Sequence, residues 1–586
     1  MAQETASTPR VTPPWLRLLV ALWPLLLACL LVMPLLTGGG YPLARDLVFV
    51  PHQPFTDSAW GLGDGPPRAV PLDAVVSALS WLVDGAVVVR VVLPLTLALA
   101  GWGVARLVTS LGPVAQLAAA TFAIWNAYVV ERLALGQWAL LVAYAALPWL
   151  VAAAGRFRRG GRPADAGAAL AWAALASLTP TGGLLAVAGL AAAGLARTRR
   201  SVVLLLGGLL LQAPWLASAL TTTAGRLSDP AGIAAFAPDT DARWGIALAL
   251  LGLGGIWDSG AEPASRTTWL ALVAAAAVVV VLVAGWSGLR RTWGTNELTR
   301  WAVLAGASAL VALASTTGTG REALEWAVES VPGAGLLRDA QKLLAPVAML
   351  VAAAFGVASA RLVERMRLPE VEVRLAALAP LAVSPFLLLP DAMAVTWPTV
   401  SPVHYPAGFD HAAQVLDGSS DDLLVTLPWR SYRKFDWAPH DLTSSDPAVR
   451  WWDVDVVTSD DLQVGTTLVA GESELAAKIG EALDMGPPSR TLGTLGVSWV
   501  LVYRDDPDVD ELDLTGLVVA YEDDDLSLLA VPDPAPVAPV DTGRRALVMG
   551  AHLGWLAILL TASAAALSGP ARRLVSQASK FRRTCC

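Results

Sequence analysis

Residues 15–36 read WLRLLVALWPLLLACLLVMPLL, and residues 37–73 continue as TGGGYPLARDLVFVPHQPFTDSAWGLGDGPPRAVPLD. The first stretch is an apolar run of about 22 residues, and about 20 are enough to cross the hydrocarbon core of a bilayer as a helix. Arg10 and Arg17 stand at its start. The run is too long for the core of a signal peptide and lacks a small-residue cleavage site, so it is expected to stay as a first membrane helix. The second stretch is rich in Gly and Pro and carries Arg45, Asp46, His52, Asp57, Asp64, Arg68 and Asp73. It reads as a long polar loop lying back over the membrane surface.

Working outward, further apolar runs lie near 87–108, 114–131, 137–154, 164–178, 182–196, 201–219, 268–286, 301–315, 343–361, 375–393 and 546–567. With the first, they predict a polytopic α-helical membrane protein of about 12 spans. A shorter, Gly-rich run at 244–257 is expected to be re-entrant or interfacial. The whole chain is 55% hydrophobic and only 15% charged, against about 25% charged in soluble domains. The shortfall falls on the apolar runs, because a charge at the bilayer centre is costly.

The loops fix a direction. With the N-terminus inside, segments 156–162, 197–200, 290–300, 361–374 and 572–583 are cytoplasmic, and all are basic, as positive charge on the inner side requires. A full crossing by 244–257 would put the basic 290–300 loop outside. Both termini are therefore expected in the cytoplasm of a multi-pass protein of the cell membrane.

Residues 1–393 read as a membrane domain, 394–545 as an extracytoplasmic α/β domain inserted before the last span, and 546–586 as that span with a basic tail. Within the inserted domain, 421–429, 496–506 and 526–533 have the composition of strands. Residues 472–483, ESELAAKIGEAL, have that of an amphipathic helix. The formal net charge of −8 argues against a nucleic-acid partner. The three cysteines, Cys29, Cys585 and Cys586, provide neither a disulfide framework nor a CxxC pair.

Three outer segments carry candidate chemistry. In the first loop, Asp46 lies about ten residues past the first span, where a carboxylate can act as general base on a hydroxyl at the membrane surface. Loop charge and helix capping, as by Asp73, are the competing reading. Residues 125–138, WNAYVVERLALGQW, place Glu131, Arg132, Gln137 and Trp138 at membrane depth or at its surface, where charged groups are functional candidates. A Glu131–Arg132 pair, a snorkelling Arg132 and interfacial Trp and Tyr anchors are equally compatible with that segment. In 331–346, VPGAGLLRDAQKLLAP, Arg338, Asp339 and Lys342 precede a span on the outer side, against the positive-inside trend. Arg338 and Lys342 on one helical face suit an anionic phosphate, while pairing within the cluster remains open. The α/β domain has no GxSxG, HExxH or Walker motif. Its TLPWRSYRKFDW segment (426–437) fits either a packed strand edge or a carbohydrate or phosphate surface.

A first span, an outer loop with Arg45–Asp46, the 125–138 turn, Arg338–Asp339 with Lys342 before a span, and a terminal outer α/β domain together resemble the GT-C class of integral membrane glycosyltransferases, particularly large actinobacterial members. The resemblance implies transfer of a sugar, with arabinofuranose and mannose both open, from a polyprenyl-phosphate-linked donor to an envelope glycan or glycolipid acceptor. It implies Asp46 as catalytic base and Arg338, Lys342 and Arg132 as donor-phosphate ligands. Arg45, His52, Glu131, Gln137, Trp138 and Asp339 would support them. Paired acids open the first loop in some members, whereas Arg45 precedes Asp46 here. Some members use a divalent metal ion, for which Asp46, Asp57 and Asp64 are the available oxygen donors. A transporter or flippase of lipid-linked sugars, or a non-catalytic envelope assembly protein, are the alternative readings.

Overall fold

The computed structural model describes residues 13–222, 228–238, 244–366 and 371–584. Eight helices among them are long and apolar enough to cross a membrane: Pro14–Leu31, Gly85–Leu107, Pro113–Ala134, Trp138–Gly160, Trp269–Trp293, Thr295–Ala314, Ala340–Arg365 and Thr542–Ser568. Two bent pairs raise this to 10, Arg199–Leu210 with Ala213–Thr221 at 52° and Pro380–Leu388 with Ala392–Val400 at 65°. The expected runs at 164–178 and 182–196 are the helices Pro163–Ala176 and Pro180–Gly194, of 14 and 15 residues. The 244–257 run holds only the six-residue helix Ile246–Leu251 and turns.

Small residues let these helices pack closely, which in a lipid solvent substitutes for a hydrophobic driving force. A Cβ on Gly356 would stand 2.5 Å from the Ala115 carbonyl oxygen, so helix Ala345–Arg365 rests directly on the backbone of helix Pro113–Ile124. Long apolar side chains such as Val283, Leu310 and Leu560 stay exposed on the outer helices, as lipid-facing positions do.

The C-terminal third carries the main sheet. Its strands follow a short antiparallel group, β1 (Tyr41–Ala44), β2 (Leu47–Val48) and β3 (Pro402–Val403), in order β2-β1-β3. The five main strands are β4 (Leu423–Leu427), β5 (Asp455–Val457), β6 (Val497–Tyr503), β7 (Val518–Glu522) and β8 (Leu526–Ala530), in the order β7-β8-β6-β4-β5. The β6–β4 and β4–β5 pairs are parallel and the other two antiparallel.

Alternation along each strand sends side chains to two buried faces. Leu424, Leu501 and Leu528 join Phe409, Phe435 and Trp452 on one side. Val425, Val500 and Leu529 join Ile479 and Leu492 on the other. Helix Glu474–Met485 starts at Ser473, whose hydroxyl accepts from the Ala476 N–H, close to the expected 472–483 helix.

The first loop is stitched to this sheet-bearing segment. Tyr41 pairs with Val403 in the β1–β3 ladder. Asp57 takes two hydrogen bonds from Arg545, at 2.7 and 2.6 Å. Asp64 accepts from the Ser473 hydroxyl at 2.7 Å and the Leu475 N–H at 2.9 Å. Asp73 lies in the first turn of helix Leu72–Leu82 and faces Arg450 at 3.6 Å; Pro71 occupies the cap position.

Candidate active site

A cavity of about 1540 Å³ lies between the helical part and the sheet-bearing segment. All three candidate segments reach it: Arg45, Asp46 and Arg68 from the first, Gln137 and Trp138 from the second, and Arg338, Asp339 and Lys342 from the third.

Asp46 is exposed on the cavity wall, and its backbone is fixed on several sides. Arg45 has a positive φ of 54°. Its N–H donates to the Thr443 carbonyl at 2.8 Å, and its carbonyl accepts from Ser445 N–H at 2.9 Å. The Arg45 guanidinium pairs with Asp258. The Asp46 N–H donates to the Leu135 carbonyl at 3.3 Å. That contact requires Gly136, which has φ +74° and whose Cβ, if present, would lie 2.4 Å from the Leu47 nitrogen. The Tyr432 hydroxyl donates to Asp46 Oδ1. Burial, and then the Asp46 charge, push the Tyr432 phenol well above its ordinary value, so it remains a donor.

The 125–138 segment is built inward. Asn126 caps helix Ala127–Ala134, accepting the Val129 N–H at 3.1 Å, and every residue of that helix is buried. Trp125 and Tyr128 are not interfacial anchors: they are buried and donate to the carbonyls of Leu389 and Lys342 at 3.0 and 2.9 Å. Glu131 and Arg132 do not pair with each other. Glu131 accepts from Gln341 Nε2 at 2.9 Å. Arg132 is fully buried, so it neither snorkels nor lines the cavity, and it is not placed for the direct phosphate contact expected of it. Its Nη1 donates to Gln137 Oε1 at 2.9 Å and to Asp339 Oδ2 at 2.8 Å.

The 331–346 segment forms two 3-10 turns, Ala334–Leu337 and Ala340–Leu344. Arg338 and Lys342 therefore do not share an α-helical face and take different partners. Lys342 lies 3.4 Å from Asp339. Arg338 lies 2.8 Å from Glu472 of the sheet-bearing segment, with its guanidinium 6.0 Å from the Phe236 ring centre. Glu472 also meets Arg68 at 3.3 Å.

His52 stands apart, exposed, with Nδ1 2.7 Å from the Ser80 carbonyl oxygen. Asp46, Asp57 and Asp64 go to Tyr432, Arg545 and Ser473 respectively. They do not converge as a divalent cation's ligands must, and no metal-ligating group of three acids, His or Cys forms among the described residues. These residues do not fit a metal centre.

Tyr432, Glu472 and Asp258 also line the cavity, and no local motif marks any of them individually. Tyr432 and Arg430 reach the cavity from the 426–437 segment, while Arg433 is buried against Asp446 at 2.7 Å. That segment is part packed core and part cavity wall.

The fold so assembled is shared with a solved membrane-protein structure. The chain is similar to the solved cryo-electron microscopy structure of the mycobacterial arabinofuranosyltransferase AftD, with a TM-score of 0.56 and 16% identity over 90% of this chain. The chain spans 40% of the length of AftD. A mutant form of AftD, in two classes, aligns at a TM-score of 0.46 with 15% and 16% identity, over 90% of this chain and 42% of that one. No family model and no curated protein sequence matches this chain.

Proposed function

We propose that this chain is an inverting glycosyltransferase that moves a sugar from a polyprenyl-phosphate donor to an envelope glycan or glycolipid acceptor at the outer face of the cell membrane. One observation carries the reading: a single cavity collects an exposed carboxylate, Asp46, and the basic side chains of Arg338, Lys342 and Arg68. An acid and a cationic cluster are the two parts that displacement at a sugar phosphate needs.

The acceptor hydroxyl gives its proton to Asp46 as its oxygen bonds to the anomeric carbon. The bond from that carbon to the phosphate oxygen breaks with its electron pair, and the polyprenyl phosphate leaves as an anion. Arg338, Lys342 and Arg68 offset that developing charge. Arg132 acts from below, holding Asp339 and Gln137 in place on the cavity wall. Glu472 occupies the guanidinium of Arg338, so donor phosphate takes over a position that a carboxylate holds in its absence.

The topology follows the loop charges: about 12 spans, both termini cytoplasmic, and the 394–545 domain outside. Tyr432 and Glu472 make that domain part of the cavity, which favours a role in positioning the acceptor above membrane domain 1–393; segment 546–586 anchors it. The likeness to an arabinofuranosyltransferase makes an arabinofuranosyl donor the first to assay. The test is sugar transfer in membranes carrying Asp46→Asn or Arg338→Ala. Loss in both supports the reading, and full activity in both overturns it.

A further inference from the structure

A second, smaller cavity of about 310 Å³ is lined by Arg158, Arg159, Gly161, Arg199 and Arg200 with neighbouring residues. Its place follows from one helix. Trp138, at the start of Trp138–Gly160, lines the large cavity, and Gly160, at its end, lines the small one. A helix of that length spans about 35 Å, slightly more than the roughly 30 Å of a bilayer's hydrocarbon core. The small cavity therefore lies at the opposite membrane boundary from the candidate active site.

Four arginines line it, Arg199 and Arg200 exposed, with one acid nearby. Glu297 takes Arg158 and also Arg159, the latter at 2.6 Å. Arg199 and Arg200 have no ion pair among the described residues. The Arg200 side chain lies across Gly161: a Cβ there would fall 1.9 Å from Arg200 Nη1, and the residue has φ +61°. Helix Arg199–Leu210 begins in the cavity wall. Thr198 Oγ1 accepts the Ser201 N–H at 3.3 Å, while the N–H groups of Arg199 and Arg200, in its first turn, have no intrahelical acceptor. Next to this polar floor, Val202, Val203 and Leu206 of the same helix are exposed.

We infer that this cavity binds the phosphate of an anionic phospholipid headgroup, with acyl chains lying along the Val202, Val203 and Leu206 face. Arginine clusters and first-turn N–H groups both select phosphate oxygens. The adjoining apolar face selects a lipid over free phosphate, and basic pockets between membrane helices suit such headgroups. The inference does not depend on the transfer reaction.

The test titrates the purified full chain with dioctanoyl phosphatidylglycerol and separately with inorganic phosphate, counting adducts by native mass spectrometry. R199Q/R200Q should bind the lipid roughly tenfold more weakly. The charge-matched R162Q/R197Q, which changes two residues outside the cavity wall, should bind as the unaltered chain does. Melting curves of both variants report whether they fold. Equal weakening in the two variants would mean diffuse surface attraction and overturn the inference. So would unchanged binding in R199Q/R200Q, or full displacement of the lipid by an equal concentration of inorganic phosphate.

Discussion

Arg132 and Asp339, separated by 207 residues, meet at 2.8 Å with side-chain exposures of 0% and 9%. This contact locks the 125–138 segment onto the 331–346 segment beneath the cavity. Lys342, at 3.4 Å, and Trp257 Nε1, at 3.4 Å, complete the surroundings of the same carboxylate oxygen.

Removing one partner of a buried ion pair strands the other, at a cost of about 3–5 kcal/mol. Arg132→Ala should therefore lower the melting temperature sharply. The neutral pair Arg132→Gln with Asp339→Asn should recover much of that loss, since the one charge it leaves without its acid, Lys342, is partly exposed to solvent. Thermal unfolding in detergent measures both, and an Arg132→Ala chain that melts like the unaltered one contradicts the assigned pair.

Tyr432→Phe deletes the hydroxyl that donates to Asp46 and little else. A hydrogen bond to a charged group contributes about 1.5–3 kcal/mol, so kcat should fall roughly tenfold or more. The KM for the lipid-linked donor should hardly change, because Tyr432 makes none of the ion pairs of Arg338 or Lys342. A matching rise in donor KM would assign Tyr432 to donor binding instead.

Glu472→Gln frees Arg338 and Arg68 from a shared carboxylate. Polyprenyl phosphate should then bind severalfold more tightly, with a steeper dependence on ionic strength. Equilibrium binding at two salt concentrations tests it, and weaker binding would show that Glu472 supports the phosphate seat rather than filling it.

Gly136→Ala puts a Cβ 2.4 Å from the Leu47 nitrogen at a φ of +74°. The turn and the Asp46 backbone must shift apart. Activity should fall more than thermal stability does, since the strain, of order 1–3 kcal/mol, is relieved by moving the loop that carries Asp46. Unchanged transfer by this variant would uncouple the two segments.

The strands β4, β6 and β8 and the helix Glu474–Met485 were legible in the sequence because apolar alternation and capping residues are local signals. Asp46 is marked by its place in a polar loop just past the first span, but that this loop walls a cavity depends on contacts far apart in sequence. The partners carry no such mark. Tyr432 lies 386 residues from Asp46, and Glu472 lies 134 residues from Arg338, so no spacing rule connects them. Arg338 and Lys342 look helical by their spacing of four, but the turns around them are 3-10, which separates the two side chains. From sequence Arg132 reads equally as the partner of the adjacent Glu131 or as a snorkelling cation. Its real partner comes from the third segment and takes it out of solvent.

The most direct test of the central claim pairs two readings on one preparation of Asp46→Asn: donor binding, and sugar transfer from a polyprenyl-phosphate arabinofuranose donor. The account predicts donor binding close to that of the unaltered chain and transfer reduced roughly hundredfold or more, as loss of a general base implies. Transfer at the unaltered rate would contradict it.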